Sequence, residues 1–498
     1  MKKIIVFTLL LGWTSLLFAQ NQAKFSKKQL RQDLKYLYQT LQKTHYNLYA
    51  TTPKKAYDKA YRVLRQSLKD SLTLLETYRV FQPFVALAKM GHCTTDHPFR
   101  RAYGPFLKNG GKVFPLNITI DQGEALVKTN YSLNEKITPG SILLAINGVP
   151  IDAILTQMYA YLAGESRYLQ NTLLDMFAFP RILWAINGSV PEYKIKLKTP
   201  DNKLEEWTLP AIAAQQFETQ FSKRESLFEQ ERAFKFLEKD IAYLRPGMFI
   251  NVESDGNTSK TETFEKGKFL EFIKQAFTQI KQKKVDKLII DLRNNPGGSN
   301  TFSDEMLAYF AHKKFRFCSD FKVRTSEITK QYWRQVKESE DKLLVDLKAQ
   351  ILSHQNGARF SFAMPYHQPR RDDLTFRGKV YVLINRYSYS QATITGAMVK
   401  DYGFGTLIGE TTADVATNYG SIHQFSLPHT KIAISYPKAF IVRPNGNQEF
   451  KGVTPDYLIR DNLFTPKDEI LDFTLSLIGN SLNKVGRQAD GQTNYLDK

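Results

Sequence analysis

The chain has 498 residues, more than one ordinary domain requires and enough for two or three. Hydrophobic residues make up 42% and charged residues 24%, a balance that can bury a large core and excludes disorder as the main state. Lys and Arg outnumber Asp and Glu by 69 to 49, a net +20, which suits anionic surfaces but carries no information about fold. The only cysteines, Cys93 and Cys318, exclude a disulfide-built scaffold and a Cys-rich zinc module, and leave open whether the two pair.

Lys2 and Lys3 precede an apolar stretch at 4–19, and Leu17-Phe-Ala19 then meets Gln20. A basic end, an apolar core and a small residue before a polar start describe a secretory signal peptide at 1–19. The alternative is a membrane anchor, but the stretch falls short of the ~20 apolar residues a spanning helix needs. No Cys stands at the cut to take a lipid. Cleavage takes two lysines from the +20 total and leaves +18. No later segment is long and apolar enough to span a bilayer. The expectation is an exported protein, periplasmic or extracellular, without stable membrane insertion and without nucleic acid as a natural partner.

Residues 22–110 are expected to be helical. Leu30, Leu34, Leu37 and Leu41 recur on one helical face. Thr52-Pro53 reads as an N-cap and a first-turn proline. Thr73-x-x-Glu76 is a capping box opening a helix that Gly91 should end, which leaves His92 on the loop just beyond. Residues 111–212 alternate short apolar runs with turn signals at Pro139-Gly140, Asn147-Gly148 and Asn187-Gly188. They predict a small, mostly β domain with one helix near 155–162. The string Ala-Ile-Asn-Gly occurs there twice, at 145–148 and 185–188, and both copies read as turns. Residues 220–480 read as α/β, with strands at 240–244, 287–292, 380–384 and 406–408 and helices at 264–280 and 391–402. Such alternation implies a largely parallel sheet with chemistry at its strand C-terminal ends. The charged stretch 320–372 is predicted to be a surface excursion, and 481–498 a polar tail.

Two loops could carry chemistry. The strand at 380–384 runs through Asn385-Arg-Tyr-Ser-Tyr-Ser390 straight into a helix. A serine there is well placed as a nucleophile, because free N–H groups at the helix start favour a developing oxyanion. The plainer reading is that Ser388 or Ser390 merely caps the helix. The strand at 287–292 runs into Arg293-Asn-Asn-Pro-Gly-Gly298, where two glycines let backbone N–H groups approach a bound group. No Gly-Lys-Ser/Thr follows, so it is a poor phosphate loop. His92-Cys-x-x-Asp96-His97 has zinc-type ligands but lacks the H-E-x-x-H helix logic. No cofactor is expected.

The string L-I-I-D-L-R-N-N-P-G-G at 288–298 resembles the strand-and-glycine motif of the C-terminal processing (tail-specific) serine peptidases and their tricorn-core relatives. N-R-Y-S-Y-S-Q-A-T at 385–393, with D-Y-G-F-G-T-L-I-G-E-T-T at 401–412, resembles that family's nucleophile segment and following strand. F-K-G-V-T-P-D at 450–456 is similar to its closing G-V-x-P-D, and P-G-S-I-L-L-A-I-N-G-V-P-I at 139–151 to its PDZ-like peptide-binding domain. The resemblance covers about 80–460 and implies a crotonase-like α/β core. Aligned on D-Y-G, it places the nucleophile on Ser390, and oxyanion donors on Gly297 or Gly298 and on Gln391.

The branch using a Ser–Lys dyad carries its lysine in G-E-x-T-x-G-K. Here that stretch is Gly409-Glu-Thr-Thr-Ala-Asp-Val415, with Val415 in the lysine position. Lys400 is no substitute, lying ten residues along the helix from Ser390, about 15 Å at 1.5 Å per residue. The tricorn-like branch uses Ser, His and Glu, and the resemblance implies His92 as base and Glu449 as orienting carboxylate. His97, His423 and His429 are the competing bases. The expected function is an exported serine endopeptidase acting on peptides or unfolded proteins. The alternatives are a catalytically inactive ligand- or peptide-binding protein on the same scaffold, and a zinc hydrolase at His92 and His97.

Overall fold

The computed structural model describes residues 24–96, 99–225, 231–237, 241–253, 265–336 and 342–490. The expected signal peptide and His97 lie outside them. The leucine repeat forms one face of the helix Lys27–Thr44, with all four leucines fully buried and a capping box between Ser26 and Gln29. Thr73 and Glu76 make the predicted capping box of the helix Leu74–Ala86. That helix stops five residues before Gly91, so Gly91 belongs to the following turn. Thr52 is not a cap. Its hydroxyl donates to Leu87 O at 2.5 Å, and the helix Lys54–Ser67 starts from Pro53 without a side-chain cap.

The second region is an antiparallel sheet in the order Leu204–Pro210, Glu192–Lys198, Ile142–Ile146, Glu124–Asn130, Leu116–Asp121. Its apolar face is covered by three helices, Ile151–Tyr159, Arg167–Phe177 and Phe179–Asn187, where one was predicted. The two Ala-Ile-Asn-Gly copies therefore part company. The first is a strand entering a turn. The second ends a helix, with Gly188 N–H bonded to Trp184 O at 2.8 Å. Tertiary packing of Ile182, Leu183 and Ile186 overrides an identical local string.

The third region holds the central sheet, ordered Ala233–Leu237, Ile241–Arg245, Lys287–Asp291, Lys379–Ile384, Thr406–Gly409, Tyr457–Leu458. The first strand is antiparallel to the second and every later pair is parallel. Alternate residues face opposite ways, so each face needs a cover. Leu288, Ile290, Val380, Val382 and Ile384 pack with helices Gly267–Gln282 and Gln391–Tyr402. Ile289, Tyr381, Leu383 and Ile408 pack with Ile470 and Ile478 of the helix Glu469–Asp490. Each such side chain contributes about 1.5–3 kcal/mol by leaving water. That last helix runs on to Asp490, into the stretch read as a polar tail.

A second sheet runs Arg359–Phe362, Asp320–Arg324, Ala433–Val442, Asn418–Ser426. The charged stretch 320–372 is thus not an excursion. Phe321, Val323, Trp333 and Ile351 are buried, because charge on one face of a strand or helix leaves the other free to join the core. The N-terminal helices rest on this sheet, where Leu34, Leu41 and Phe81 share a cluster with Ile432, Ile434 and Tyr436. Cys93 and Cys318 are both free and buried. No described helix is long and apolar enough to cross a membrane.

Candidate active site

Asp291 pairs with Leu383 in parallel register, so the turns leaving these two strands emerge side by side. They are bonded to each other. Asn294 N–H donates to Asn385 Oδ1 at 3.1 Å, and Asn385 Nδ2 donates to Asn294 Oδ1 at 2.8 Å. Tyr389 N–H donates to Asn295 O at 2.9 Å. Ser388 is fully buried; its Oγ donates to Leu292 O at 2.8 Å and accepts from Asn385 N–H at 3.1 Å. Ser388 therefore ties the loop together and has no free hydroxyl.

Ser390 is different. Its side chain makes no capping bond, and its backbone sits at φ 53°, ψ −119°. A non-glycine residue held there costs about 1–3 kcal/mol. The strain turns its hydroxyl out of the helix, toward His92, whose Nε2 lies 3.4 Å from Ser390 Oγ. Gly297 makes this approach possible. At φ 92°, a Cβ on it would lie 2.6 Å from Gln391 N and 2.9 Å from Ser390 Cβ. The Gly297 N–H is already given to Asn295 Oδ1 at 2.8 Å. The N–H groups of Gly298 and Gln391 take no part in these bonds. Gln391 is instead fixed through its side chain, which donates to Ser303 Oγ at 2.9 Å.

His92 reaches Ser390 from a distant part of the chain. The strand Thr94–Thr95 pairs with Ile434 and Ser435 on the inner strand Ala433–Val442 of the second sheet. Thr95 N–H donates to Gln82 Oε1 at 2.9 Å. Gly91 N–H donates to Glu165 Oε2 at 3.1 Å, and a Cβ on Gly91 would lie 2.9 Å from Tyr389 Oη. The imidazole is buried and stacks on Tyr389 with ring centroids 5.4 Å apart. Burial holds it below the ordinary imidazole value, and the Asp414 carboxylate pulls the other way. Its Nδ1 has no hydrogen-bond partner.

Glu449 is not brought to this imidazole. It lies on an exposed loop, ion-paired with Lys451 at 3.1 Å and accepting no bond from His92. Two acidic residues that sequence reasoning passed over stand there instead. Asp414 is fully buried; its Oδ2 accepts Ser390 N–H at 2.6 Å and its Oδ1 accepts Val415 N–H at 2.9 Å. Burial raises its pKa and the nearby His92 lowers it. Glu165, from the loop between two helices of the second region, turns its carboxyl inward. Burial first, then Asp414, push it up to about 8. Val415 is buried and apolar, and Lys400 is held by Thr454 O and Asp456. His423 packs on Tyr332, and His429 lends its backbone to Asp33.

Residues 249–459, which hold Ser390 and both turns, match the sequence model of Peptidase family S41. That stretch, less than half of the chain, is thus similar to a serine peptidase core. Mature CPAF complexed with lactacystin superposes with a TM-score of 0.59 at 15% identity, over 86% of this chain and 93% of that one. Mature CPAF alone gives 0.56 at 15% identity, over 87% and 92%. At this identity the likeness is one of fold, and it extends well beyond the S41 core into the N-terminal and antiparallel-sheet regions. No curated protein sequence matches the chain.

Proposed function

We propose that this protein is an exported serine endopeptidase in which Ser390 is the nucleophile and His92 its general base. The observation that carries this reading is the 3.4 Å approach of His92 Nε2 to the strained Ser390 hydroxyl. As Ser390 Oγ bonds to the scissile carbonyl carbon, its proton passes to Nε2. The oxyanion is met by the N–H groups of Gly298 and Gln391, the two left unspent around the turn. Nε2 then gives the proton to the leaving amine as the C–N bond breaks. Water attacks the acyl-enzyme by the same route, its proton passing through Nε2 back to Ser390 Oγ.

The antiparallel-sheet region at 111–212 is the PDZ-like part of this reading and engages an extended peptide at its edge. The signal peptide expected at 1–19 supports export. The test is fluorophosphonate labelling across pH. A base works only unprotonated, so the rate falls as pH drops through the pKa of His92. Because burial lowers that pKa from 6.5, the acidic limb should lie below 6.5 and vanish with all labelling in Ser390→Ala. Labelling that persists in Ser390→Ala would overturn the assignment of the nucleophile.

A further inference from the structure

Glu449 leaves the imidazole without the carboxylate that its charged form requires. We propose that Asp414 is the anion of this site and that Glu165 is its protonated partner, so that two carboxyl groups beside His92 share one proton. The inference rests on the Ser390–His92 reading and assigns the positioning residues behind it.

The geometry separates their tasks. Asp414 bonds the backbone of Ser390 itself and acts on the imidazole through space. It holds the serine in its positive-φ conformation, and its charge favours the imidazolium that forms when Oγ gives up its proton. Its two oxygens accept only backbone N–H groups, and such bonds favour the ionised form. Glu165 Oε2 accepts Gly91 N–H, and its Oε1 is buried with no hydrogen-bond partner. A lone buried oxygen is tolerable on a neutral carboxylic acid and costly on a carboxylate. Two like charges in one buried site do not both ionise, and the Asp414 charge raises the pKa of Glu165.

Three titratable groups face this pair. They are His92, on the Asp414 side, the Tyr389 hydroxyl, which both carboxyls push further up, and the Cys93 thiol, which Glu165 raises. No described Lys or Arg acts on Asp414 or Glu165; the one cationic influence on Asp414 is His92. His92 is therefore the group whose protonation the Asp414 charge controls.

The readout is the pH dependence of fluorophosphonate labelling at Ser390 in the full chain. Asp414→Asn keeps an acceptor for the Ser390 N–H but removes the charge. It should slow labelling about 10²-fold or more and move the acidic limb to lower pH. Asp414→Glu, which restores the charge, should return the limb toward its original place. Asp414→Ser gives the same comparison if Asn disturbs folding. Glu165→Gln, a mimic of the neutral acid, should leave the limb where it is. An unmoved limb in Asp414→Asn or Asp414→Ser, or a limb moved by Glu449→Gln instead, would overturn the proposal. Failure of Ser390→Ala to abolish labelling would instead sink the catalytic reading beneath it.

Discussion

The two sides of the site are built on opposite principles. On the nucleophile side, Asn294, Asn295, Asn385 and Ser388 bond one another and the backbone until each has its partners. On the imidazole side, His92 Nδ1 and Glu165 Oε1 are buried without hydrogen-bond partners. A saturated network can hold a strained residue such as Ser390 in place. An unsaturated one leaves groups whose protonation is easily shifted. The rigid half supplies geometry and the other half supplies tunable charge.

The largest test of this contrast removes the hydroxyl of the proposed nucleophile. Ser390→Ala should cut peptide hydrolysis by three orders of magnitude or more while the thermal melt stays cooperative. Ser388→Ala should do the reverse, costing about 1–3 kcal/mol of stability through its two lost bonds without abolishing fluorophosphonate labelling. Next, His92→Ala should lower kcat/KM by roughly 10³-fold or more; full activity would detach the imidazole side from the chemistry.

A smaller effect comes from the seam. Gly297→Ala places a methyl 2.6 Å from Gln391 N at a φ of 92°. It should force the two turns apart and lower kcat about 10²-fold, with KM changed far less. An equal rise in KM would mean the turn serves binding and not the oxyanion.

The smallest expected effect is on stability, and it sharpens the imidazole side. A carboxyl raised from 4.5 to about 8 binds its proton more tightly when folded. Stability is therefore lost as pH climbs from about 4.5 through 8. Glu165→Gln should gain roughly 2–4 kcal/mol above pH 8 and nothing below pH 4, read from urea midpoints at both ends. A gain that is the same at both ends would deny the buried proton.

The sequence made the nucleophile side legible because its parts are local. Each turn directly follows a strand, and short strings such as Asn385–Ser390 carry their own geometry. His92 was found through its place in a family pattern, since no local signal shows that Thr94–Thr95 joins a strand some 340 residues later. Asp414 stood inside Gly409-Glu-Thr-Thr-Ala-Asp-Val415, a stretch read for a lysine it lacks. Glu165 precedes the helix cap Ser166 and looks there like ordinary surface polarity near a helix start. Its role depends on how the second region docks. The three-helix cover of that region and the buried face of 320–372 were missed for the same reason, since both depend on partners distant in sequence.

The docking of that second region has a consequence for how such proteins can be taken apart. Arg386 reaches Asp121 at 3.1 Å as well as Glu410 at 2.9 Å, and the Tyr387 hydroxyl is given to Asp175 at 2.8 Å. Both donors lie within four residues of Ser390, and Tyr387 is counted in the sheet region's own apolar cluster. The sheet region is therefore no detachable cartridge. Excising it would strand a guanidinium and a phenol that now lie buried, and a foreign domain spliced in its place would have to bring its own two aspartates to the same spots. Swapping specificity in this scaffold should begin at the far edge of the sheet, along Leu204–Pro210, where the strand is bonded only to its neighbour Glu192–Lys198.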